Sequence, residues 1–234
     1  MFVSVFDMFK IGIGPSSSHT MGPMVAANNF LELMRSSPFN FAGVRCRLHG
    51  SLAFTGVGHA TDRAITLGLE GFTPENYDEV KASKALSRIQ STHFLEPDGL
   101  GKLKFNTSED LIFDYGPRLD EHSNGLILYA IDHQGDVILE EIYFSIGGGF
   151  ILTKSEFSQQ SPNEIGTEVP YPFKTAAEML QMARSSGKSI AEMKRDNEKA
   201  LHSNAEIKDG LSRIWKTMDT VSYTHLTLPT THDV

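Results

Sequence analysis

The run Gly12-Ile13-Gly14-Pro15-Ser16-Ser17-Ser18-His19-Thr20-Met21-Gly22-Pro23-Met24 constrains this chain more than any other stretch. Two glycines and a proline fix a loop, and three hydroxyls and an imidazole follow. Pro23 then stands where an apolar period opens at Met24, Ala27, Leu31 and Met34. Proline suits a first helical turn because the N–H it lacks has no partner there. The spacing therefore predicts a polar loop feeding a helix from Pro23 to Met34. Unpaired N–H groups and the positive dipole end at such a junction suit a carboxylate or phosphate. The hydroxyls of Ser16, Ser17, Ser18 and Thr20 would add donors for a small anion, with His19 beside it as proton acceptor. An ordinary hydroxyl cap with a surface histidine is the other reading, and spacing alone leaves both open.

Composition narrows the classes of function. Lys and Arg number 21 against 29 Asp and Glu, a formal charge of −8 with no basic stripe, which argues against a nucleic-acid partner. No apolar run approaches the ~18 residues of a membrane helix. The N-terminus lacks the charged and cleavable regions of a signal peptide, so a reducing cytoplasm is the expected compartment. Cys46 is the only cysteine, in the alternating segment Val44-Arg45-Cys46-Arg47-Leu48. It can form no intrachain disulfide, and one thiol cannot hold an iron–sulfur cluster.

Patterning divides the chain. Residues 1–150 mix helical and strand periods and predict an α+β domain. After the helix at Pro23 comes a strand at Val44–His49, a glycine turn at Gly56–Gly58 and a helix over His59–Leu69. Pro74 is expected to open a third helix through Val80, Leu86 and Ile89. Strands follow at Leu103–Phe105 and Leu111–Tyr115, then a hairpin of Gly125–His133 and Asp136–Phe144. Residues 151–172, rich in Ser, Gln, Asn and Pro, read as a linker. Residues 173–220 carry only helical periods (Thr175–Ser185, Ser189–His202, Ala205–Met218) and read as the beginning of an all-helical domain. Residues 221–234 show no helix period and carry four threonines, so they are expected to be a non-native tail.

Five segments, in order, resemble one family. They are Val5–Lys10 with Gly12–Met24, then Gly50-Ser51-Leu52-Ala53-Phe54-Thr55-Gly56-Val57-Gly58-His59-Ala60-Thr61-Asp62, Tyr143–Phe150, Val169-Pro170-Tyr171-Pro172-Phe173-Lys174 and Asn197–Ser203. Together they resemble the bacterial iron–sulfur L-serine dehydratases, over residues 2 to 220 or so. The resemblance implies deamination of L-serine to pyruvate and ammonia. It also implies a [4Fe–4S] cluster acting as Lewis acid, with cysteine ligands in a C-terminal α portion that this sequence does not reach, and a homodimer. The parent protein is accordingly expected to be a single-chain enzyme, and this stretch of it inactive alone.

Such a reaction needs a base for a weakly acidic α-proton, which suits a histidine with a pKa near the working pH. His59 is placed first and His19 second, the latter alternatively holding the substrate carboxylate. Ser17 and Ser18 are the favoured carboxylate hydroxyls, with Ser16 and Thr20 beside them. Thr55 and Asp62 flank His59, and Asp62 would orient that ring from three residues along the same helix. Ser145, Gly147 and Gly148 end a strand where backbone N–H groups could approach an anion. Glu198 and His202, four apart on one helix, complete the candidates, with Asn197 before them. The histidines at 49, 93, 122 and 133 default to packing or surface roles.

Two other classes compete. One is a non-catalytic, serine-binding or assembly module of the β type that depends on a separate cluster-bearing subunit. The other is a pyridoxal-phosphate dehydratase built on Lys10 and Gly147–Gly149, although the asparagine and serine context of a phosphate loop is missing.

Overall fold

Capping chemistry sets where the helices begin. The computed structural model describes residues 2–159 and 168–226. It opens with one turn, α1 (Val5–Met8), whose Ser4 hydroxyl accepts from the Phe6 N–H. A π-type turn, Ser17–Met21, then runs without a break into α2 (Gly22–Ser36). Strand β1 (Gly43–Leu48) follows, then α3 (Ser51–Thr55) and a 3-10 turn at Val57–His59.

The helix expected over His59–Leu69 begins later, as α4 (Thr61–Leu69). Ala60 adopts a left-handed φ of 53°, and the Gly56 carbonyl accepts from both the His59 and Thr61 N–H groups. His59 therefore belongs to a turn and Asp62 to the first turn of a separate helix. The third helix, α5 (Glu79–Thr92), does not open at Pro74. Thr73 and Asn76 exchange side-chain-to-backbone bonds in a turn, and the Asp78 carboxylate caps the helix by accepting from the Lys81 N–H.

The strands are β2 (Phe94–Leu95), β3 (Leu103–Lys104), β4 (Leu111–Phe113), β5 (Gly125–Ile131), β6 (Val137–Gly147) and β7 (Phe150–Thr153). They form one seven-stranded sheet of order β2-β3-β1-β5-β6-β7, with β4 also paired to β1. The sheet is mixed: β1 is antiparallel to β5 but parallel to β3 and β4. The expected β5–β6 hairpin is present. Beyond it, β7 and α6 (Lys154–Gln159) occupy the start of the predicted linker. Gly147 pairs with Phe150, leaving Gly148 and Gly149 at φ 62° and 76° as a two-residue hairpin loop. Two successive positive φ angles are what such a loop requires, and glycine supplies them. Residues 160–167 of the predicted linker lie outside the described residues.

Two compact units emerge. One comprises residues 12–160, and the first eleven residues fall with the C-terminal helices in the other. In the larger unit α2 packs on the sheet, and its Phe30, Leu31 and Met34 share one buried cluster with Val44, Cys46, Leu126 and Leu128. Each such side chain contributes about 2–3 kcal/mol by burial. Helices α2 and α4 pack on each other where Gly68 faces the Met24 carbonyl and Ala27.

The second unit holds α7 (Ala176–Ser186), α8 (Ile190–Glu198) and α9 (Asn204–Leu226). Capping boxes start two of them, Thr175 with Glu178 and Ser189 with Glu192. Helix α9 runs past Met218, so residues 221–226 of the predicted tail are helical, while 227–234 lie outside the described residues. Extending a helix that already exists costs far less than nucleating one, which is why a weak period does not stop it.

Gly68 gives the packing test. A Cβ there would sit 2.6 Å from the Met24 carbonyl oxygen and 2.7 Å from the Ala27 Cβ. Gly68→Ala is expected to lose about 1–3 kcal/mol in urea unfolding despite alanine's higher helix propensity. A gain in stability would show that α2 and α4 are not in this close contact.

Candidate functional site

Two turns, each carrying a histidine, are bonded to each other through their threonines. The Thr20 hydroxyl donates to the His59 carbonyl at 2.8 Å, and the Thr61 hydroxyl donates to the His19 carbonyl at 2.6 Å. Both threonines are fully buried. The reciprocal bonds hold the two imidazoles 4.9 Å apart, tilted by 38°. Thr20, grouped with the anion-binding hydroxyls in the sequence, is thus spent on the backbone of the opposite turn. It also accepts from the Ser16 N–H.

The hydroxyl run sorts into distinct tasks. Ser16 caps the π-type turn, accepting from the His19 N–H at 3.2 Å. Ser18 Oγ lies 2.9 Å from His19 Nδ1 and 3.4 Å from Ser16 Oγ. Ser17 is exposed at the start of the turn, and its hydroxyl makes no hydrogen bond among the described residues. π-type turns inside helices are frequent at functional sites because they present side chains a regular helix would not.

The two imidazoles differ. His19 is bracketed, with Ser18 Oγ on Nδ1 and Ser51 Oγ 2.9 Å from Nε2. Burial lowers its pKa, and the neighbouring His59 lowers it further; contact with Ser51 acts in the opposite sense. His59 has one bond, from Nδ1 to the Thr55 carbonyl at 2.9 Å. A carbonyl only accepts, so Nδ1 carries the proton in the neutral ring and Nε2 carries a lone pair. Thr55 serves through that carbonyl, while its hydroxyl donates to the Ser51 carbonyl. Asp62 forms no hydrogen bond with His59; it occupies the first turn of α4, where a negative side chain suits the positive helix end.

Four predicted residues stand apart from this arrangement. Ser145 is completely buried under the π-type turn, its hydroxyl lacking a partner, against Gly22. Gly147 and its neighbour Gly148 are accounted for by the β6–β7 hairpin. Glu198 lies in the other unit, buried, with Ser4 Oγ donating at 2.8 Å and the Val5 N–H at 2.6 Å to its two carboxylate oxygens. Next to it the Asn197 side chain both accepts from and donates to the Tyr171 backbone, at 2.8 Å each way. Residues 197 and 198 therefore hold the start of α1 and the Tyr171 backbone.

The sequence reading did not single out Ser51, and it left His49 with a packing or surface role, which its burial fits. Ser51 lies within the quoted Gly50–Asp62 stretch, so its signal was position within a motif rather than chemistry. His49 is only 7% exposed, with neither ring nitrogen hydrogen-bonded and Asp114 at 4.0 Å. Burial lowers its pKa, against a smaller raising effect from Asp114. Among the described residues no cluster of three His, Cys, Asp or Glu side chains could hold a metal. Cys46 is buried in β1 and burial pushes its thiol far up, so it is an inert packing residue. No described helix is long and apolar enough to cross a membrane.

Comparison with known proteins agrees on where the resemblance lies. The sequence model of the family described as serine dehydratase beta chain matches residues 4–156. The chain is 39% identical over 220 residues to an L-serine dehydratase of Streptomyces coelicolor, covering 93% of this chain and 48% of that protein. It is 40% identical over 220 residues to L-serine dehydratase TdcG of Escherichia coli, covering 92% and 47%. An L-serine dehydratase of Haemophilus influenzae is 38% identical over 220 residues, covering 92% and 48%. The chain thus spans about half the length of the curated relatives it matches.

The geometry yields two expectations. Thr61→Val keeps the shape but removes the donor to the His19 carbonyl, so it should cost about 1 kcal/mol in urea unfolding. An unchanged midpoint would mean the two turns are held by packing alone. The second concerns pH. His19 and His49 have folded pKa values below the ordinary value, so the unfolded chain binds more protons as pH falls through about 6.5. Their stabilising contribution is therefore complete above that range and lost on acidification. The urea midpoint should drop between about pH 7.5 and about pH 5.5, and less so in His49→Gln. Equal slopes in the variant and the parent would remove His49 from the account.

Proposed function

The chain belongs to the serine dehydratase family, in its β-chain region, and from that premise we propose that it supplies the substrate-holding, proton-accepting side of a site that deaminates L-serine to pyruvate and ammonia. The observation that carries this is the fixed tautomer of His59. With Nδ1 donating to the Thr55 carbonyl, Nε2 is the free acceptor for an α-proton. Its partner His19 has both nitrogens engaged by hydroxyls, and burial lowers its pKa. The exposed Ser17 hydroxyl, at the N-terminal end of the turn that continues into α2, is the group offered to the substrate carboxylate.

These residues bind the carboxylate, orient the α-carbon and take the proton at His59 Nε2. They do not hold the [4Fe–4S] cluster implied by the resemblance, because Cys46 is single and buried. We assign the cluster ligands, and the departure of the serine hydroxyl, to a segment or subunit outside these residues.

A second reading rests on the chain spanning about half of its relatives. In it, this portion binds serine and supports assembly, and the base comes from elsewhere. One experiment separates the two. The chain is combined, without oxygen, with the remaining half of a relative, and ammonia release is followed for the parent and for His59→Gln. The first reading expects kcat to fall by about 10²–10⁴ with KM little changed. Full turnover in His59→Gln would instead support the assembly reading. The chain alone is expected to bind L-serine and release no ammonia.

A further inference from the structure

Ser51 touches His19 directly and reaches His59 through Thr55. Its hydroxyl lies 2.9 Å from His19 Nε2. Its carbonyl accepts from the Thr55 hydroxyl at 2.8 Å, and the Thr55 carbonyl in turn fixes His59 Nδ1 at 2.9 Å. The residue is delivered from the end of β1 by a backbone with little latitude. Gly50 has φ 53°, and a Cβ there would lie 2.4 Å from the Ser123 carbonyl oxygen, a position only glycine can occupy. The Ser51 N–H donates to that same carbonyl at 2.8 Å. The side chain is thus presented to His19 from a fixed base rather than from a mobile loop.

We propose that Ser51 is the positioning residue of the histidine pair: its hydroxyl, with that of Ser18, occupies both nitrogens of His19 and so leaves His59 as the proton acceptor. The inference deepens the function proposed above and rests on it for its catalytic meaning. The argument is one of available lone pairs. A neutral imidazole has one acceptor nitrogen, and two hydroxyls, each able to donate or accept, can satisfy whichever tautomer His19 adopts. No lone pair of His19 is then free for substrate, whereas His59 Nε2 is.

Charge follows the same division. The elements packed against the His19 turn carry Glu32 and Arg35 on α2, Glu140 and Glu141 on β6, and Asp62 and Arg63 on α4, with His59 on the 3-10 turn, and of these His59 is the group that acts on the His19 charge. When His59 takes a proton, protonation of His19 is opposed both by burial and by that charge. A bracketing hydroxyl keeps the neutral ring hydrogen-bonded throughout, so His19 neither competes for the proton nor swings away.

The test is nitrogen-15 NMR of the whole chain labelled at histidine, which reads the tautomer and titration of each ring without any need for turnover. The parent should show a His19 midpoint below the ordinary imidazole value, and Ser51→Ala, which removes a hydroxyl that supports the neutral ring, should shift that midpoint up and mix the His19 tautomers. Ser51→Thr should restore the parental spectrum. If Ser51→Ala does not fold, Ser51→Cys, close in size but a weak hydrogen-bonding partner, should show the same shift. Parental His19 tautomer and midpoint in Ser51→Ala or Ser51→Cys would overturn the proposal. Because this readout is independent of ammonia release, failure here leaves the His59→Gln result standing, and failure of that result leaves the hydroxyl bracket standing.

Discussion

The pair of crossed hydrogen bonds from Thr20 to the His59 carbonyl and from Thr61 to the His19 carbonyl is the constraint on which the rest of the site depends. Each histidine sits on a short turn, and a short turn alone cannot hold an imbalance of charge or a chosen tautomer. Buried hydroxyl-to-carbonyl bonds are directional, and an unmade one costs about 1–3 kcal/mol. Two of them, running in opposite senses between adjacent turns, resist both separation and sliding. The imidazoles are thereby fixed at 4.9 Å, close enough for His59 to lower the pKa of His19.

The fold supplies this arrangement by close approach rather than by bulk. Gly22, at the junction of the π-type turn and α2, lies so near β6 that a Cβ would fall 2.0 Å from Ser145 Oγ. Gly68 does the same between α4 and α2. One glycine seats the His19 turn on the sheet, and the other seats the helix that follows the His59 turn on the helix that follows the His19 turn. The glycine-rich character of the motifs is explained by packing distance at Gly22 and Gly68, and by positive φ at Gly50 and Gly147–Gly149. Phosphate cradling is not needed to account for them.

Much of this was legible before any coordinates. The α2 period, β1 and the β5–β6 hairpin could be read from apolar spacing and turn residues, and the quoted motifs singled out His19 and His59, though not their 4.9 Å approach. Less was legible where one residue decides locally. Ala60 in the left-handed region breaks the helix after His59, and no propensity marks an alanine for that conformation. The Asp78 cap and the turn before it postpone α5 past Pro74. The strand β7 after Gly149 was obscured because its neighbours are polar, yet glycines at successive positive φ are a hairpin signal. Hydroxyl roles were the least readable, since Thr20 and Ser17 look alike in sequence and are sorted only by what lies across from them.

That sorting bears on why a site of this kind carries a run of hydroxyls beside two histidines. If each hydroxyl were there to bind an anion, removing any one would weaken binding alone. The geometry divides them instead. Ser16 caps, Thr20 and Thr61 tie, Ser18 and Ser51 engage the ring of His19, and Ser17 stays open. Only the last faces outward. The others fix which nitrogen of which histidine has a lone pair to offer, and two neighbouring imidazoles become unequal partners without a carboxylate to distinguish them. Burial and like-charge proximity disfavour charging His19, while the carbonyl of Thr55 makes Nδ1 of His59 the protonated nitrogen. The free Nε2 of His59 is thus set by neutral hydrogen-bonding groups, so it persists over a range of ionic strength where a charged partner would be screened.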